Sequence, residues 1–422
     1  MDVDPKPEGS RPEAVKSETR LTFGVEIEYL LATVHPIHPS PDPQDPREFD
    51  GKKLRSVDDV NLDILKKLKA NDVPASILWC SASRALPTDE ELDTNWLLKN
   101  DATVAAHVRI HPYYREFGME MSSPPYYYDE ASREIVRVVL KTLRKNYLVR
   151  VNATAGLHVH VGNEYDGFKF LVIRNLVAIL YTYERQIRLI LPAERVQGPQ
   201  QRYCRPFPWG NFGQANPDIT RIEFLNHILS SEDYEQLIID FTADLTDRLG
   251  FNIGNLTLPY TSPKRTIEFR LHQGTLDPDA ILHFTHLCIK LTEKACLTKN
   301  QDELVARLRH DVEKPIGLGE QECSTVDLLM WLGCPAQAYY YGVAMVATDE
   351  QKFKERIQED ARMARDHARM AYEAWVEARK KEKALGANDD EVDTKSDDGF
   401  PVAPGVDLSS FNFDNLDMRG GF

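Results

Sequence analysis

The segment RTIEFRLHQGTLDP, residues 265–278, decides the fold that we predict for this chain. Successive side chains of a β-strand point to opposite faces, so one face of this segment would carry Glu268, Arg270 and His272. The other face would be apolar and would pack into a core, with Ile267, Phe269 and Leu271. The segment therefore predicts a strand that is polar on one side and buried on the other.

The same segment predicts where the strand gives way to a helix. Gly274 is suited to a tight turn after the strand. Asp277 is a favoured N-cap residue, and proline is favoured at the first helical position, where Pro278 stands. We therefore predict a helix from residue 278 to about residue 295.

Three other segments repeat the pattern of polar side chains two residues apart on an otherwise apolar strand. They are LTFGVEIEYLL at residues 21–31, MEMSSP at residues 119–124 and GLHVHVG at residues 156–162. The side chains that they would place on a common face are Glu26, Glu28, Glu120, Ser122, His158 and His160. Because the segments are far apart in the sequence, the repetition predicts one sheet whose polar face lines a cavity.

Length and composition favour a single large domain. The polar strands are spread between residues 21 and 271 of a 422-residue chain, and 42% of the residues are hydrophobic, which is enough for a sizeable core. The net charge of −15 argues against nucleic acid as the main partner, because phosphate binding requires a basic surface.

Targeting signals and cysteine spacing predict the compartment. No apolar run reaches the roughly 18 residues that a membrane span needs, and the first residues are polar without a signal segment. The six cysteines show no Cys-x-x-Cys spacing, which is typical of reduced thiols. We expect a cytoplasmic or nuclear protein that is not secreted and does not bind a membrane.

The chain divides into four regions by composition. Residues 1–19 have almost no large apolar side chain and are predicted to be disordered, whereas residues 20–345 would form the catalytic domain. Residues 346–386 predict a charged helical extension whose thin apolar stripe packs as an appendage or contacts a protein partner. Residues 387–422 contain nine acids and two bases, which predicts a disordered acidic tail.

The predicted polar face would bring four carboxylates together, those of Glu26, Glu28, Glu120 and Glu268. Two such charges ~4 Å apart repel by about 4 kcal/mol at an effective dielectric near 20, so a cation or protons must compensate them. Oxygen-rich sites prefer Mg²⁺ or Mn²⁺ to Zn²⁺. Arg270 adds a planar fork for phosphate or carboxylate, and the combination predicts phosphoryl transfer from a nucleotide.

Each motif alone also has a simpler interpretation. A Glu-x-Glu pair is common on a solvated strand face, and Glu268 with Arg270 is compatible with a surface ion pair. Four occurrences of one pattern nevertheless favour a shared site. Residues 195–217 concentrate arginines and are either an anion-binding loop or a surface loop, and within them Arg205 is our candidate for a nucleotide contact.

The ordered set of motifs resembles a known family. FGVEIEY, WLLKNDAT, GMEMSSP, GLHVHVG and RTIEFRLHQGTLD are similar to segments of the amidoligase family of carboxylate-amine ligases, over roughly residues 21–295. The resemblance implies an α+β fold with a glutamine-synthetase-like antiparallel sheet, a polar active-site face and backing helices. It also implies ATP, Mg²⁺ and an acyl-phosphate intermediate that an amine captures.

The resemblance also implies roles for individual residues. The metal-binding residues would be Glu26, Glu28, Glu120, His158 and Glu268. Glu268 and Arg270 would be catalytic, and Arg270 with His160 would contact the nucleotide phosphates. Asp101 matches the acid of an Asp-x-Ser element in which Thr103 replaces the serine, so the role of this strand is left open.

Two other functions are compatible with the same residues. A metal-dependent hydrolase would use His158 and His160 with a carboxylate on Zn²⁺, although further histidines for it are not identified. A non-catalytic nucleotide-binding protein on the same fold is the second alternative. The substrates of a ligase would be a small-molecule or peptide carboxylate and an amine, whose identities the sequence does not specify.

Deleting residues 387–422 should leave catalytic turnover unchanged, because their composition cannot form a core. The measurement compares the turnover number of a chain ending at residue 386 with that of the full chain. A truncated chain that keeps its circular dichroism spectrum but loses turnover would place a catalytic element in the tail.

Overall fold

The computed structural model describes most of the predicted catalytic domain. The described residues are 20–38, 42–44, 54–79, 84–105, 113–164, 166–192, 195–196, 199–243, 248–256, 265–317, 319 and 321–347. The predictions for residues 1–19, for nearly all of the extension at 346–386 and for the tail at 387–422 lie outside them. Within them, the predicted α+β fold class is confirmed.

Nine strands of the described chain form one sheet. They are β1 Thr22–Val34, β2 Ala75–Ile77, β3 Trp96–Asn100, β4 Tyr114–Ser122, β5 Tyr126–Tyr127, β6 Leu148–Arg150, β7 Gly156–Gly162, β8 Phe251–Asn252 and β9 Ile267–Gln273. The order is β2-β3-β4-β1-β7-β9-β8, with β5 and β6 also paired to β1. Only the β2–β3 pair is parallel among these strands, so the predicted antiparallel sheet is confirmed.

Helices cover the apolar face of this sheet. Their bounds in the described chain are α1 Val57–Lys69, α2 Asp89–Thr94, α3 Glu130–Asn146, α4 Phe170–Arg188, α5 Asn211–Ala215, α6 Arg221–Ser230, α7 Tyr234–Asp240, α8 Pro278–Cys296, α9 Gln301–Asp311, α10 Thr325–Trp331 and α11 Pro335–Ala347. Helix α8 packs on β7 and β1 and is flanked by α3 and α4. Val25, Ile27 and Tyr29 of β1 are buried on this side, as predicted.

No helix among the described residues combines the length and apolarity that a membrane span requires.

The predicted caps begin several of these helices. Asp277 accepts a hydrogen bond from the Asp279 N–H (3.0 Å) in front of α8, and Pro278 is its first residue. Ser324 and Asp327, which stand three residues apart as a capping box requires, begin α10 in a similar way. Such caps satisfy backbone donors that a helix start leaves unpaired, which fixes where each helix begins.

From the sequence we also predict a helix over residues 232–249, followed by a strand over residues 251–259 that pairs with the central strand. The helix prediction is wrong in its length. Helix α7 ends at Asp240, whose carboxylate binds the Nε2 atom of His227 at 2.7 Å. Phe241 then leaves the helix and packs against Phe207 and Phe224, with ring centroids 5.4 and 5.8 Å away. Burial of this aromatic ring favours the turn over further helix.

The strand predicted after it, at residues 251–259, is only two residues long in the described chain. Strand β8 does pair with β9, as predicted. It ends because the Asn252 side chain accepts a hydrogen bond from the Gly254 N–H at 2.8 Å, and a 3₁₀ turn follows over Gly254–Leu256.

A bulge in β9 changes the face on which its last residues lie. Val159 of β7 pairs with Phe269, but Leu157 pairs with His272, so β9 has one extra residue between these pairs. His272 therefore shares the apolar face with Leu157, and its ring centroid lies 4.7 Å from that of Phe284 in α8. The prediction that His272 shares the polar face of Glu268 is wrong for this reason.

A carboxylate is buried among the helices, away from the polar face. Glu184 of α4 is 6% exposed and accepts hydrogen bonds from the Phe207 backbone N–H at 3.3 and 3.2 Å. Burial raises the pKa of Glu184 from 4.5 to about 7, against the opposing attraction of Arg188. In the unfolded chain this carboxyl ionises near its ordinary pKa, so the folded protein holds its proton more tightly.

Glu184→Gln should make stability less dependent on pH. Because the folded-state pKa of Glu184 is raised, its contribution to stability is lost as pH rises from about 4.5 to about 7, by on the order of 3 kcal/mol. Urea unfolding at pH 5.5 and pH 8.5 tests this, with Glu134→Gln on the exposed face of α3 as the control. The gain in stability from Glu184→Gln should grow between the two pH values, and a constant difference would contradict the assignment.

Candidate active site

The register of four strands assembles the polar face. Glu26 of β1 lies opposite His158 of β7, and Glu28 lies opposite Glu120 of β4. His160 of β7 lies opposite Glu268 of β9. Directly opposed residues in an antiparallel pair have Cβ atoms about 5 Å apart, so these pairings bring the polar side chains into contact.

The structure brings Glu26, His160 and Glu268 into one group. Each offers a ligand atom, and these atoms lie within 4.8 Å of one another. His160 Nε2 is 3.2 Å from Glu26 Oε1 and 3.9 Å from Glu268 Oε1. The His160 Nδ1 atom is held by the Thr266 hydroxyl at 3.0 Å, which fixes the ring with Nε2 toward the acids.

A second group consists of Glu28, Asp101 and Glu120, with ligand atoms again within 4.8 Å of one another. Asp101 follows the end of β3 and accepts hydrogen bonds from the Thr103 N–H (2.6 Å) and hydroxyl (2.7 Å). Thr103 thus orients the Asp101 carboxylate through these two hydrogen bonds. The structure thus places Asp101, whose role the sequence left open, beside Glu28 and Glu120.

His158 lies between the two groups rather than within either one. Its Nδ1 atom is 3.2 Å from Glu26 Oε2 and 3.7 Å from Glu268 Oε1, while its Nε2 atom is 3.6 Å from Glu28 Oε1. The ring therefore faces acids of both groups. Its predicted role as a metal ligand stays a prediction.

Burial and neighbouring charges shift the pKa values of the acids in opposite directions. Burial raises the pKa of Glu28, with His158 opposing. Burial and the charge of Glu26 raise the pKa of Glu120, although Lys99 forms an ion pair with it at 2.7 Å. Burial acts in the same direction on Glu268, but Arg270 and His160 outweigh it and lower the pKa of Glu268.

Arg270 and Asn252 hold Glu268. The Arg270 guanidinium forms an ion pair with Glu268 Oε1, and Asn252 Nδ2 donates to Glu268 Oε2 at 2.8 Å. The Nε atom of Arg270 is buried and has no hydrogen-bond partner among the described residues. This guanidinium therefore keeps a donor for an anionic ligand.

Arg195 supports the backbone at the bulge of β9. This side chain is 4% exposed, and it donates to the carbonyl oxygens of Arg270 (2.9 Å) and Leu271 (3.3 Å). A Cβ atom on Gly156 would lie 3.0 Å from Arg195 Nη2 and 3.0 Å from His158 Nε2. The Gly156 N–H donates to Glu28 Oε2 at 2.7 Å, so this glycine is part of the site.

Arg205 lies beyond β8. Its guanidinium is 3.8 Å from the centroid of the Trp209 ring and donates to Gln201 at 2.9 Å. Its backbone continues the sheet, because its carbonyl accepts from the Gly250 N–H (2.8 Å) and the Gly250 carbonyl accepts from the Arg270 N–H (2.8 Å). Its predicted contact with a nucleotide stays a prediction.

The donor set fits a hard divalent cation. Two adjacent groups present five carboxylates and one imidazole, which suits Mg²⁺ or Mn²⁺. His160 Nε2 is also buried, and it lies 3.2 Å from Glu26 Oε1 without the geometry of a hydrogen bond, so a cation bound beside these two atoms would give both a ligand role.

Some residues of this face were not predicted. Lys99 was missed, although its position opposite Glu120 follows once β3 and β4 are paired. Asn252 was missed because no pattern in the sequence places the end of β8 beside Glu268.

Glu120→Gln should stabilise the metal-free protein, because its carboxylate is buried beside Glu26 and its pKa is raised. Thermal unfolding in EDTA measures this, and a rise of roughly 2–4 °C per kcal/mol is expected. The control is Glu116→Gln on the same strand, which removes an ion pair with Arg150 (2.5 Å) and should lower the melting temperature. Added Mg²⁺ should raise the melting temperature less in Glu120→Gln than in the parent, and equal responses would argue against Glu120 as a ligand.

Comparisons with solved structures give only distant likenesses. A bifunctional glutathione synthetase from Pasteurella multocida is 13% identical with a TM-score of 0.30, over 85% of this chain and 53% of that one. The complex of the prokaryotic ubiquitin-like protein Pup with its ligase PafA gives 10% identity and a TM-score of 0.27, over 84% of this chain and 63% of that one. This chain thus spans less than two thirds of the length of either structure. No curated protein matches it.

A family match covers the whole candidate site. The model of the family described as "Putative amidoligase enzyme" matches residues 19–292, more than half of the chain. This range begins before β1, ends within α8, and includes both groups of acids together with Arg195 and Arg270. The chain therefore belongs to the amidoligase family.

Proposed function

We propose that this protein is an ATP-dependent carboxylate-amine ligase that works through an acyl-phosphate intermediate. The observation that carries the proposal is the pair of buried acidic groups beside the Arg270 guanidinium on one sheet face. Membership of the amidoligase family supports the same reaction class. The substrates would be a small-molecule or peptide carboxylate and an amine.

The two groups would each hold one divalent cation. Glu26, His160 and Glu268 would form one site, and Glu28, Asp101 and Glu120 would form the other. Bound Mg²⁺ would offset the charge on the β and γ phosphates of ATP. His158 faces acids of both groups, and its ring would hold their carboxylates in place.

The remaining polar groups would position the reactants. A substrate carboxylate oxygen would attack the γ phosphorus of ATP, ADP would leave, and the amine would then attack the acyl carbon and displace phosphate. Arg270 is two residues from Glu268 and would orient the transferring phosphoryl group with its free Nε donor. Arg205, which lies in the same extension of the sheet, would contact the nucleotide.

The hydrolase alternative is less well supported by the geometry. A zinc hydrolase site favours several His or Cys ligands, whereas the two groups in the described chain have one histidine and no cysteine. The non-catalytic alternative has no structural argument against it. Binding of ATP without turnover in the presence of varied acids and amines would support it.

ATP binding should depend on Mg²⁺, because five clustered carboxylates would repel the phosphates of free ATP. Isothermal titration calorimetry with ATP, with and without Mg²⁺, provides the measurement. Equal affinity under both conditions would remove the basis of the proposal. The protein is then incubated with ATP, Mg²⁺ and pools of carboxylic acids and amines. Turnover is measured as phosphate release, and new amides are identified by mass spectrometry.

Glu268→Gln and Arg270→Lys should separate binding from turnover. Glu268→Gln keeps the side-chain shape but removes a ligand charge, so affinity for ATP in Mg²⁺ should fall. Arg270→Lys keeps a positive charge but loses the planar fork, so binding should persist while turnover falls by at least ~10²-fold, on the order of 3 kcal/mol.

Arg202→Lys is the matched control for Arg270→Lys, because Arg202 contacts the neighbouring Tyr203 hydroxyl at 3.0 Å on an exposed part of the surface. This control should keep both ATP binding and turnover. If Glu268→Gln and Arg270→Lys bind and turn over ATP like the parent, the catalytic centre is not on β9.

A further inference from the structure

A second cavity lies on the helical side of the domain. It has a volume of about 420 Å³ and is bounded by the end of α8, the start of α9 and the end of α10. Helix α8 begins next to the sheet at Pro278 and has 19 residues, so its far end is roughly 28 Å away at 1.5 Å per residue. The cavity is therefore separate from the candidate active site.

Two cations converge on one aromatic ring in this cavity. The Lys294 Nζ atom and the Arg307 Cζ atom each lie 4.6 Å from the centroid of the Trp331 ring. Both side chains line the cavity, and Lys299 adds a third positive charge. Because like charges repel one another, an anion beside the two cations would stabilise this arrangement.

The neighbouring acids do not neutralise Lys294. Asp311 Oδ2 is 3.3 Å from the Arg307 Nε atom, which also donates to the Tyr183 hydroxyl at 3.1 Å. These two contacts fix the position of the Arg307 guanidinium. Lys294, in contrast, forms no ion pair within the described part of the chain, although Glu303 also lines the cavity.

The rest of the lining is mixed. Leu297, Leu304 and Leu332 are apolar, Thr298 and Asn300 are neutral and polar, and Glu293 pairs with Lys290 at 2.8 Å. The Trp331 ring is contacted by both cations, and its centroid lies 5.3 Å from that of Tyr183. The cavity volume lies within the range of about 300–1,000 Å³ that is usual for small-molecule sites. With four bases and two acids among its lining residues, the cavity carries a net positive charge.

We propose that this cavity binds a small organic anion, in which a carboxylate or phosphate group meets Lys294 and Arg307 while an apolar body packs on the leucines of the lining, Leu297, Leu304 and Leu332. The Trp331 ring would hold the two cations in place for this anion. No lining residue belongs to the two acidic groups of the candidate active site, so this ligand would bind independently of ATP and of the reacting carboxylate. The excess of positive charge selects an anion, and the leucines select an apolar body.

The test uses 1-naphthoate as the probe and its neutral analogue 1-naphthamide as the ligand control, both titrated into the full chain by calorimetry. Naphthoate should bind, and naphthamide should bind at least about tenfold more weakly. Lys294→Gln should weaken naphthoate about tenfold or more, whereas Lys141→Gln on the exposed side of α3 should not change it. Equal binding of both compounds, equal affinity in Lys294→Gln, or no binding of naphthoate would each overturn the proposal.

A second variant distinguishes the loss of a ligand contact from a local change of structure. Trp331→Leu keeps the cations but removes the ring, so it should also weaken naphthoate while the circular dichroism spectrum is unchanged. If Trp331→Leu binds naphthoate as well as the parent does, the ring is not part of a site.

Discussion

Repulsion between carboxylates that share one buried sheet face is the constraint on which the rest of this structure depends. Glu28, Glu120 and Glu268 are only 5–7% exposed, so water screens them poorly. The protein supplies a local partner for each: the Gly156 N–H for Glu28, Lys99 for Glu120, and Arg270 with Asn252 for Glu268. These partners stabilise the carboxylates, and the two acidic groups still present ligand atoms of the kind that a divalent cation prefers.

The central strand divides the acids between two groups. Residues two apart on a strand lie on the same face and about 7 Å from each other. Glu26 therefore belongs to one group and Glu28 to the other, so β1 forms a wall common to both. Because β1 is paired on both sides and buried on its apolar face, the spacing between the groups is set by backbone geometry rather than by flexible loops.

Period-two alternation was sufficient to predict much of this face. Glu26, Glu28, Glu120, His160 and Glu268 lie together because each is on an apolar strand whose side chains alternate regularly. The order of the motifs along the chain carried the family resemblance, and the family match over residues 19–292 agrees with that resemblance. Helix α8, which has a clear cap and a wide apolar stripe, was also predicted within two residues at each end.

The errors arose where tertiary contacts override local pattern. One extra residue in β9 moves His272 to the apolar face, and no sequence signal marks that bulge. Helix α7 is cut short by the packing of Phe241, which depends on rings distant in the sequence. Asp101 joins its group from just beyond the end of β3, outside the alternation, and only the fold shows its neighbours.

Gly156 shows how a buried side chain can restrict a distant position. Its backbone is not in the left-handed region, so the chain conformation itself does not require glycine there. The requirement comes from Arg195 and His158, whose nitrogen atoms lie 3.0 Å from the site of a Cβ atom. Alanine at position 156 would require Arg195 Nη2 and His158 Nε2 to shift by a few tenths of an ångström, and Arg195 Nη2 is the atom that binds the Arg270 carbonyl at the bulge. Positions 156 and 195 are thus coupled sterically, although they are 39 residues apart in the sequence.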